Sequence, residues 1–233
     1  MSRTKIFAMI PARIGSKRLK KKNLALLNGK PLISYSISAA KKAKVFNKII
    51  INSDSKKFKK FSKKYNVDFY LRPKKLGKSN IKSDEVVLDF LNKFSCDICV
   101  WVNPISPLQT GEEIKKIVNF FIKNKLNSLI TVEDKKVHSI YKNKPINFRL
   151  NEKFKQTQDM IPIRQFVYSI MMWTKKSFIK SMKLRGNAIL HKKIGYFSVG
   201  KNSSLIVKTK EDIELIEQVI KSKKKNKFIS YYK

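Results

Sequence analysis

Residues 6–33 read IFAMIPARIGSKRLKKKNLALLNGKPLI. Ile6 to Ile10 is an unbroken apolar run of strand length and predicts a buried first strand ending at Pro11. The loop Ala12 to Lys22 holds Gly15, Ser16 and six basic residues. Glycine and serine let a backbone turn and present amide donors to phosphate. Arg13, Lys17 and Lys22 are spaced so that a wrapped loop would aim all three inward. The loop is neither G-x-x-x-x-G-K-[ST] nor G-x-G-x-x-G, and on charge alone it reads equally well as a solvated loop. From Pro31 to Ala43, Leu32, Tyr35, Ser36, Ala39, Ala40 and Ala43 recur at helical spacing, with Pro31 suited to a first turn.

Outward from this stretch, strands and helices alternate. Ile49 to Ile51 reads as a strand ending at Asn52, Ser53 and Asp54, with a lysine-rich helix over Ser55 to Tyr65. Asp54 reads as a cap of that helix or as a ligand residue. Val67 to Leu71 reads as a strand, Asp84 to Phe94 as a helix, and Ile98 to Val102 as a strand running into Asn103-Pro104-Ile105-Ser106-Pro107. Glu112 to Lys123 is amphipathic with acids in its first turn, and Ser128 to Val132 is a further strand. Such alternation predicts an α/β fold with a mostly parallel sheet and helices on both faces. Ligands then bind at the carboxyl ends of strands, here the loops after the first, second and fourth. Glu133 to Arg164 lacks periodicity and reads as an arm or long loop. Phe166 to Trp173 and Ile194 to Val199 read as strands, Lys210 to Lys221 as a last helix, and the lysine-rich residues after Lys221 as a solvated end. The whole, 1–233, reads as one domain with 133–165 as an arm or insertion.

The totals exclude several classes. With 42% hydrophobic residues in 233, the chain can build a full core. No apolar run reaches 18 residues, so no transmembrane helix is expected, and Met1 to Met9 lacks the apolar stretch and cleavage site of a signal peptide. A cytoplasmic location follows as the expectation. Cys96 and Cys99 form one C-x-x-C with no second pair, so a zinc site lacks ligands and two buried apolar positions are expected. His138 and His191 carry no motif and read as partly exposed structural residues. The charge is large, 53 Lys+Arg against 16 Asp+Glu, net +37. It is spread along the chain, arginine is scarce beside lysine, and the aromatics fall on apolar faces rather than among basic residues. Abundant lysine, isoleucine and asparagine also fit an A/T-rich coding bias. Salt-sensitive sticking to polyanions is expected, but no specific nucleic acid partner.

The run from Ile10 to Ile33, with P-A-R-x-G-S-K-R-L, K-N-L and G-K-P-L-I in order, resembles the N-terminal signature of the CMP-sugar synthetases. These are the acylneuraminate cytidylyltransferases and their relatives for legionaminic, pseudaminic and ketodeoxyoctonic acids. Ile50 to Asp54, Arg72-Pro73-Lys74-Lys75-Leu76, Asn103 to Gly111 and Glu211-Asp212 with Glu217 resemble later motifs of that family in the same order. The resemblance covers nearly the whole chain and is weakest over 133–190. It implies a Rossmann-like nucleotidyltransferase sheet with an arm, a homodimer, and a part in surface polysaccharide biosynthesis. It implies transfer of CMP from CTP to an acidic ulosonic sugar with release of pyrophosphate. Arg13, Lys17 and Lys22 would hold and neutralise the phosphates, with Ala12, Ser16, Asn23, Arg72 and Ser83 around the rest of the CTP. Asn103 and Ser106 would face the sugar. Apart from the resemblance, an arginine fork suits a carboxylate, so Arg164 with Gln165 reads as a candidate for the sugar's acid group. Arg72 reads also as a turn residue before Pro73, Ser83 as an N-cap, and Asn103 as closing its Pro-rich turn.

The chain departs from the family in one chemically decisive place. The family's D-I-D-T, whose aspartates bind Mg2+, is replaced so that Ile206 and Lys208 occupy the metal positions. Neither offers the hard oxygens that Mg2+ takes. Lys208 would put positive charge where the metal sits, or the change marks a catalytically weak homologue. Ile170 replaces a glycine on the sugar side and Gln109 an arginine, so a different sugar pocket is expected.

Overall fold

The computed structural model describes residues 4–222. The first apolar run forms β1 (Ile6–Pro11), and it lies inside a seven-stranded sheet with four strands on one side and two on the other. The other strands are β2 (Lys48–Ser53), β3 (Asp68–Leu71), β4 (Ile98–Val102), β5 (Ser128–Lys135), β6 (Ile163–Thr174) and β7 (Ile194–Ser198). Their spatial order is β7-β5-β6-β4-β1-β2-β3. All neighbours run parallel except β6, which is antiparallel to both β4 and β5. The mostly parallel expectation holds, and the antiparallel β6 is what the apolar run Phe166 to Trp173 did not disclose.

Alternation along β1 divides the core in two. Ala8 and Ile10 face α1 (Leu32–Ala43), α2 (Lys59–Tyr65) and α4 (Gly111–Lys123), meeting Ile33, Ile37, Phe61, Ile114, Ile117 and Phe121. Phe7 and Met9 face the opposite layer of α3 (Ser83–Lys93) and α5 (Lys175–Arg185), meeting Val87, Phe90 and Phe178. A third cluster of Leu27, Leu32, Val207 and Ile216 docks the C-terminal helix α7 (Lys210–Ser222) against the loop that follows β1. The short helix α6 (Lys201–Ser204) precedes it. The lysine-rich end after Ser222 lies outside the described residues.

α1 and α4 approach closely because residue 111 is glycine: a Cβ there would stand 2.7–2.8 Å from Lys42 and Ala43 atoms. Helix α5 was not foreseen, since Lys175 to Arg185 buries only Ser177, Phe178 and Ser181 and so carries little apolar periodicity. The expected arm is shorter than 133–165. Lys135 pairs with Ile163 and Glu133 with Gln165 as strand, which leaves residues 136–162 as the excursion. That excursion contains a small ribbon, Ile140–Tyr141 against Lys144–Pro145. His138 stacks on Phe154 with ring centroids 3.8 Å apart. Tyr141, Leu150, Phe154 and Ile161 of the excursion stay exposed. Cys96 and Cys99 are buried and unpaired, as expected. His191 is not partly exposed: it is 1% accessible, with Nδ1 2.6 Å from the Ala188 carbonyl and Nε2 2.8 Å from Ser177 Oγ.

Candidate active site

The segments leaving the carboxyl ends of β1, β3 and β4 surround one cavity of about 330 Å³. It lies where the chain leaves β1 toward β2 on one side and enters β4 on the other, the crevice where open α/β sheets bind ligands. Arg13, Ser16, Lys22, Asn23, Arg72, Ser83 and Asn103 line it together, with Leu76, Ile81, Val86 and Trp101 as apolar wall. One end is therefore basic and the other an apolar slot edged by polar groups.

The loop after β1 is wrapped, not splayed. The Lys22 N–H donates to the Leu19 carbonyl at 3.1 Å, and Lys21 adopts a left-handed conformation with φ 52°. A 3-10 turn over Lys22–Leu24 follows and sends Lys22 inward. Asn23 is buried and its Nδ2 donates to the Arg13 carbonyl at 3.3 Å, tying the two ends of the loop. Asp54 anchors the loop from below, accepting from the Ile14 N–H at 3.0 Å. It neither caps the next helix, a role taken by Ser55 Oγ accepting from the Lys57 N–H, nor lines the cavity. Gly77 makes room for it, since a Cβ there would stand 2.2 Å from Asp54 Oδ2.

Arg72 is 3% accessible, with Nη1 3.4 Å from Asn52 Oδ1 and Nη2 4.0 Å from Asp54 Oδ1. Burial lowers its pKa from the ordinary arginine value, and Asp54 only partly offsets this. Its Nε and the Nε1 of Trp101 are both buried donors without a protein partner. Unpaired buried donors are costly, and two of them in the walls of one slot suit a ligand that brings acceptors. Ser83 is the first residue of α3 and not its cap; the Lys82 N–H, one residue earlier, is satisfied by Glu85 Oε1 at 3.3 Å. Asn103 both closes its turn, accepting from the Ile105 N–H at 3.4 Å, and donates to the Tyr168 carbonyl at 3.1 Å. Tyr168 sits at the irregularity in the β5–β6 ladder with φ 60°, a strained backbone at the edge of the site.

Lys22 joins this cavity to a second one. Its Nζ donates to the Val207 carbonyl at 3.0 Å, while the Val207 N–H donates to the Ile105 carbonyl at 2.7 Å. The second cavity, about 390 Å³, is lined by Glu133, Lys135, Gln165, Lys201, Ile206, Lys208 and Asp212 among others. Burial, with the nearby charges of Arg18, Arg13 and Lys208, pushes the Lys22 pKa down to about 8; Asp212 pulls the other way. Four cations thus converge on one seam.

Several expected residues lie elsewhere. Lys17 is exposed and outside the cavity lining, because the turn through Leu19 brings Arg18, not Lys17, toward Lys22. Ala12 is buried, its N–H bonded to the Asn52 carbonyl at 2.9 Å and its carbonyl to Ser53 Oγ at 2.6 Å, so its amide is not free for a ligand. Ser106 is 1% accessible and holds α6, donating to the Ser203 carbonyl at 2.5 Å. Arg164 pairs with Asp134 at 3.5 Å and lies over Tyr196, outside both cavities. Gln165, the next residue on the strand, lines the second cavity.

A cytidylyltransferase family model matches residues 7–233. The chain belongs to the cytidylyltransferase family. It is 36% identical over 120 residues to an N-acylneuraminate cytidylyltransferase from Escherichia coli, across 51% of this chain and 29% of that protein. It is 28% identical over 241 residues to the post-translational flagellin modification protein B of Campylobacter coli, across 94% of this chain and 97% of that protein. The chain thus spans under a third of the first relative's length and nearly all of the second's. A solved CMP:2-keto-3-deoxy-manno-octonic acid synthetase complexed with CTP has the same fold, with TM-score 0.73 over 94% of this chain and 100% of that one, at 13% identity.

The Mg2+ expected of a cytidylyltransferase of the resembled kind does not fit the residues present. Among the described residues no three of His, Cys, Asp and Glu come together to hold a metal. Ile206 packs against the core, and Asp212 Oδ2 already accepts from the N–H groups of Lys208 and Thr209 at 2.7 and 2.8 Å. Trp101, Lys78 and Ser79 line the cavity without having been singled out from the sequence. Trp101 reads there as one more apolar residue of a buried strand, and nothing marks the loop after β3 as a wall.

Proposed function

We propose that the chain transfers CMP from CTP to a 2-keto-3-deoxy sugar acid of the sialic-acid type and releases pyrophosphate. The observation that carries this reading is the pair of cavities linked by the Lys22–Val207 hydrogen bond. The first has an apolar wall with unpaired Arg72 and Trp101 donors and a basic end at Arg13 and Lys22. The second carries Lys135 and Lys201, cations suited to a sugar carboxylate, with Gln165 as a neutral polar contact and Lys208 on the side toward Lys22.

In this reading the cytosine lies in the slot and the phosphates run past Ser16, Asn23 and Arg13 to Lys22. The anomeric hydroxyl oxygen of the sugar acid forms a bond to the α-phosphorus. The bond from that phosphorus to the bridging oxygen breaks, pyrophosphate leaves with the electron pair, and the hydroxyl proton passes to water. Positioning and charge neutralisation are the main demands of such a transfer. Arg13 and Lys22 meet them where the leaving charge develops. The location proposed is cytoplasmic, where CTP is available, and no described helix is long and apolar enough to cross a membrane. The exposed Tyr141, Leu150, Phe154 and Ile161 of the 136–162 excursion support a homodimer formed through it.

Loss of metal carboxylates favours a second reading, a homologue that binds CTP without turnover. One assay separates the two: pyrophosphate release from CTP, UTP or ATP with a panel of eight- and nine-carbon ulosonic acids. Release with CTP and one acid supports the transferase. CTP binding without release from any acid supports the silent homologue, and preference for ATP or UTP refutes both.

A further inference from the structure

The seam between the two cavities is built from one rigid peptide. Val207 is fully buried among Leu27, Leu32 and Ile216, its N–H is held by Ile105 and its carbonyl by Lys22. On either side of it, Ile206 and Lys208 both line the second cavity. The main chain of Lys208 is clamped as well, since its N–H donates to Asp212 Oδ2 at 2.7 Å. The same oxygen takes the Thr209 N–H at 2.8 Å and Thr209 Oγ1 at 3.3 Å. Asp212 is thereby committed to capping α7. Glu133 stands 3.4 Å from Lys135. The seam's two carboxylates thus face Lys135 and the start of α7, and among the described residues no three of His, Cys, Asp and Glu gather to hold the Mg2+ that binds beside phosphates.

What the seam does hold is ammonium charge. Lys22 approaches it from the first cavity and Lys208 from the second, and Arg13 and Arg18 lie near Lys22. Like charges gathered in a partly buried place raise one another's energy, and a polyanion relieves them.

We propose that Lys208, together with Lys22 across the Val207 peptide, replaces the divalent cation at the phosphate end of the site. This rests on the proposed function. Two ammonium groups carry the total charge of one Mg2+ and are held by a fixed backbone rather than recruited from solution. An ammonium is a compact point charge with three donors, so it neutralises phosphate oxygens without a coordination sphere. The nucleotide bound is then free CTP and not its magnesium complex.

The test is calorimetric titration of the full chain with CTP at pH 7, in Mg2+ and again in chelator, for the native chain, Lys208→Ala and Lys208→Arg. Lys208 is exposed, and a thermal melt of each variant confirms the fold. The native chain is expected to bind equally well, within about twofold, in both buffers. Lys208→Ala should bind about tenfold more weakly, the worth of one charge-assisted contact, and Lys208→Arg should recover most of that. CTP binding that needs Mg2+ overturns the inference while leaving the proposed function standing, and so does a Lys208→Ala variant with native affinity. A native chain that binds CTP in neither buffer removes the proposed function and the inference with it.

Discussion

Titrating CTP binding between pH 7 and 9 reads the state of Lys22 directly. Burial and the charges of Arg18, Arg13 and Lys208 push its pKa from 10.5 to about 8. In the free protein about 10% of Lys22 is neutral at pH 7, about half at pH 8 and about 90% at pH 9. A bound triphosphate favours the charged form and pulls the proton back. Binding should therefore take up about 0.1 proton at pH 7, about 0.5 at pH 8 and about 0.9 at pH 9. With a last pKa near 6 the phosphates are fully ionised from pH 8 upward, so the uptake there belongs to the protein. The apparent Kd should rise about twofold from pH 7 to 8 and about tenfold by pH 9. Calorimetry in buffers of different ionisation enthalpy measures the uptake as a slope. Lys22→Arg keeps the charge and does not titrate, so its slope should vanish. The sign for the unliganded fold is opposite to that for binding. A folded pKa below the unfolded one means that stability is lower at and below pH 8 and rises as pH climbs toward 10.5. Lys22→Met should accordingly melt no lower than the native chain at neutral pH. Binding that is flat from pH 7 to 9, or an unchanged slope in Lys22→Arg, refutes the reasoning.

Gly15→Ala should leave the melting temperature unchanged or raise stability by about 0.5 kcal/mol, because a Cβ there meets open space; CTP affinity should fall, and native affinity would remove the loop backbone from the site. Asp54→Ala deletes the acceptor of the Ile14 N–H and should cost about 1–2 kcal/mol by urea denaturation while raising KM for CTP. A lower stability with unchanged KM would show that the anchor does not position the loop. Burial lowers the His191 pKa, so its contribution is complete above the unfolded value of about 6.5 and is lost as pH falls through the folded one. The urea midpoint should drop between pH 7 and 5 more for the native chain than for His191→Gln; equal drops count against this. Leu150→Asp with Phe154→Asp, both exposed, should yield a monomer by light scattering if the excursion is the dimer contact, and an unchanged dimer excludes it.

Much of the sheet was legible because Ile6 to Ile10 and Ile98 to Val102 are apolar on both faces, as strands covered by helices on each side must be. What escaped was direction and side. An apolar run such as Phe166 to Trp173 reads the same in either orientation, so the antiparallel β6 and its strained Tyr168 left no mark. The basic loop was visible as charge, but spacing does not tell which of its cations turn inward: Arg13 and Lys22 line the cavity, while Lys17 and Arg18 stay exposed. Arg164 and Gln165 illustrate the same limit on a strand: successive side chains face opposite ways, and only one reaches the cavity. Arg72 and Ser83 were found through motif resemblance; their own chemistry reads equally as turn and cap. Ser106 sat inside a matching motif yet is consumed by packing against α6.

The transfer itself is most directly tested by phosphorus NMR of CTP mixed with each candidate sugar acid and the purified chain. The account predicts that with one acid the triphosphate resonances give way to one phosphodiester and free pyrophosphate in equal amounts, and that Lys22→Ala slows this about a hundredfold. CTP left intact with every acid, or consumed to CMP and pyrophosphate without a phosphodiester, would contradict it.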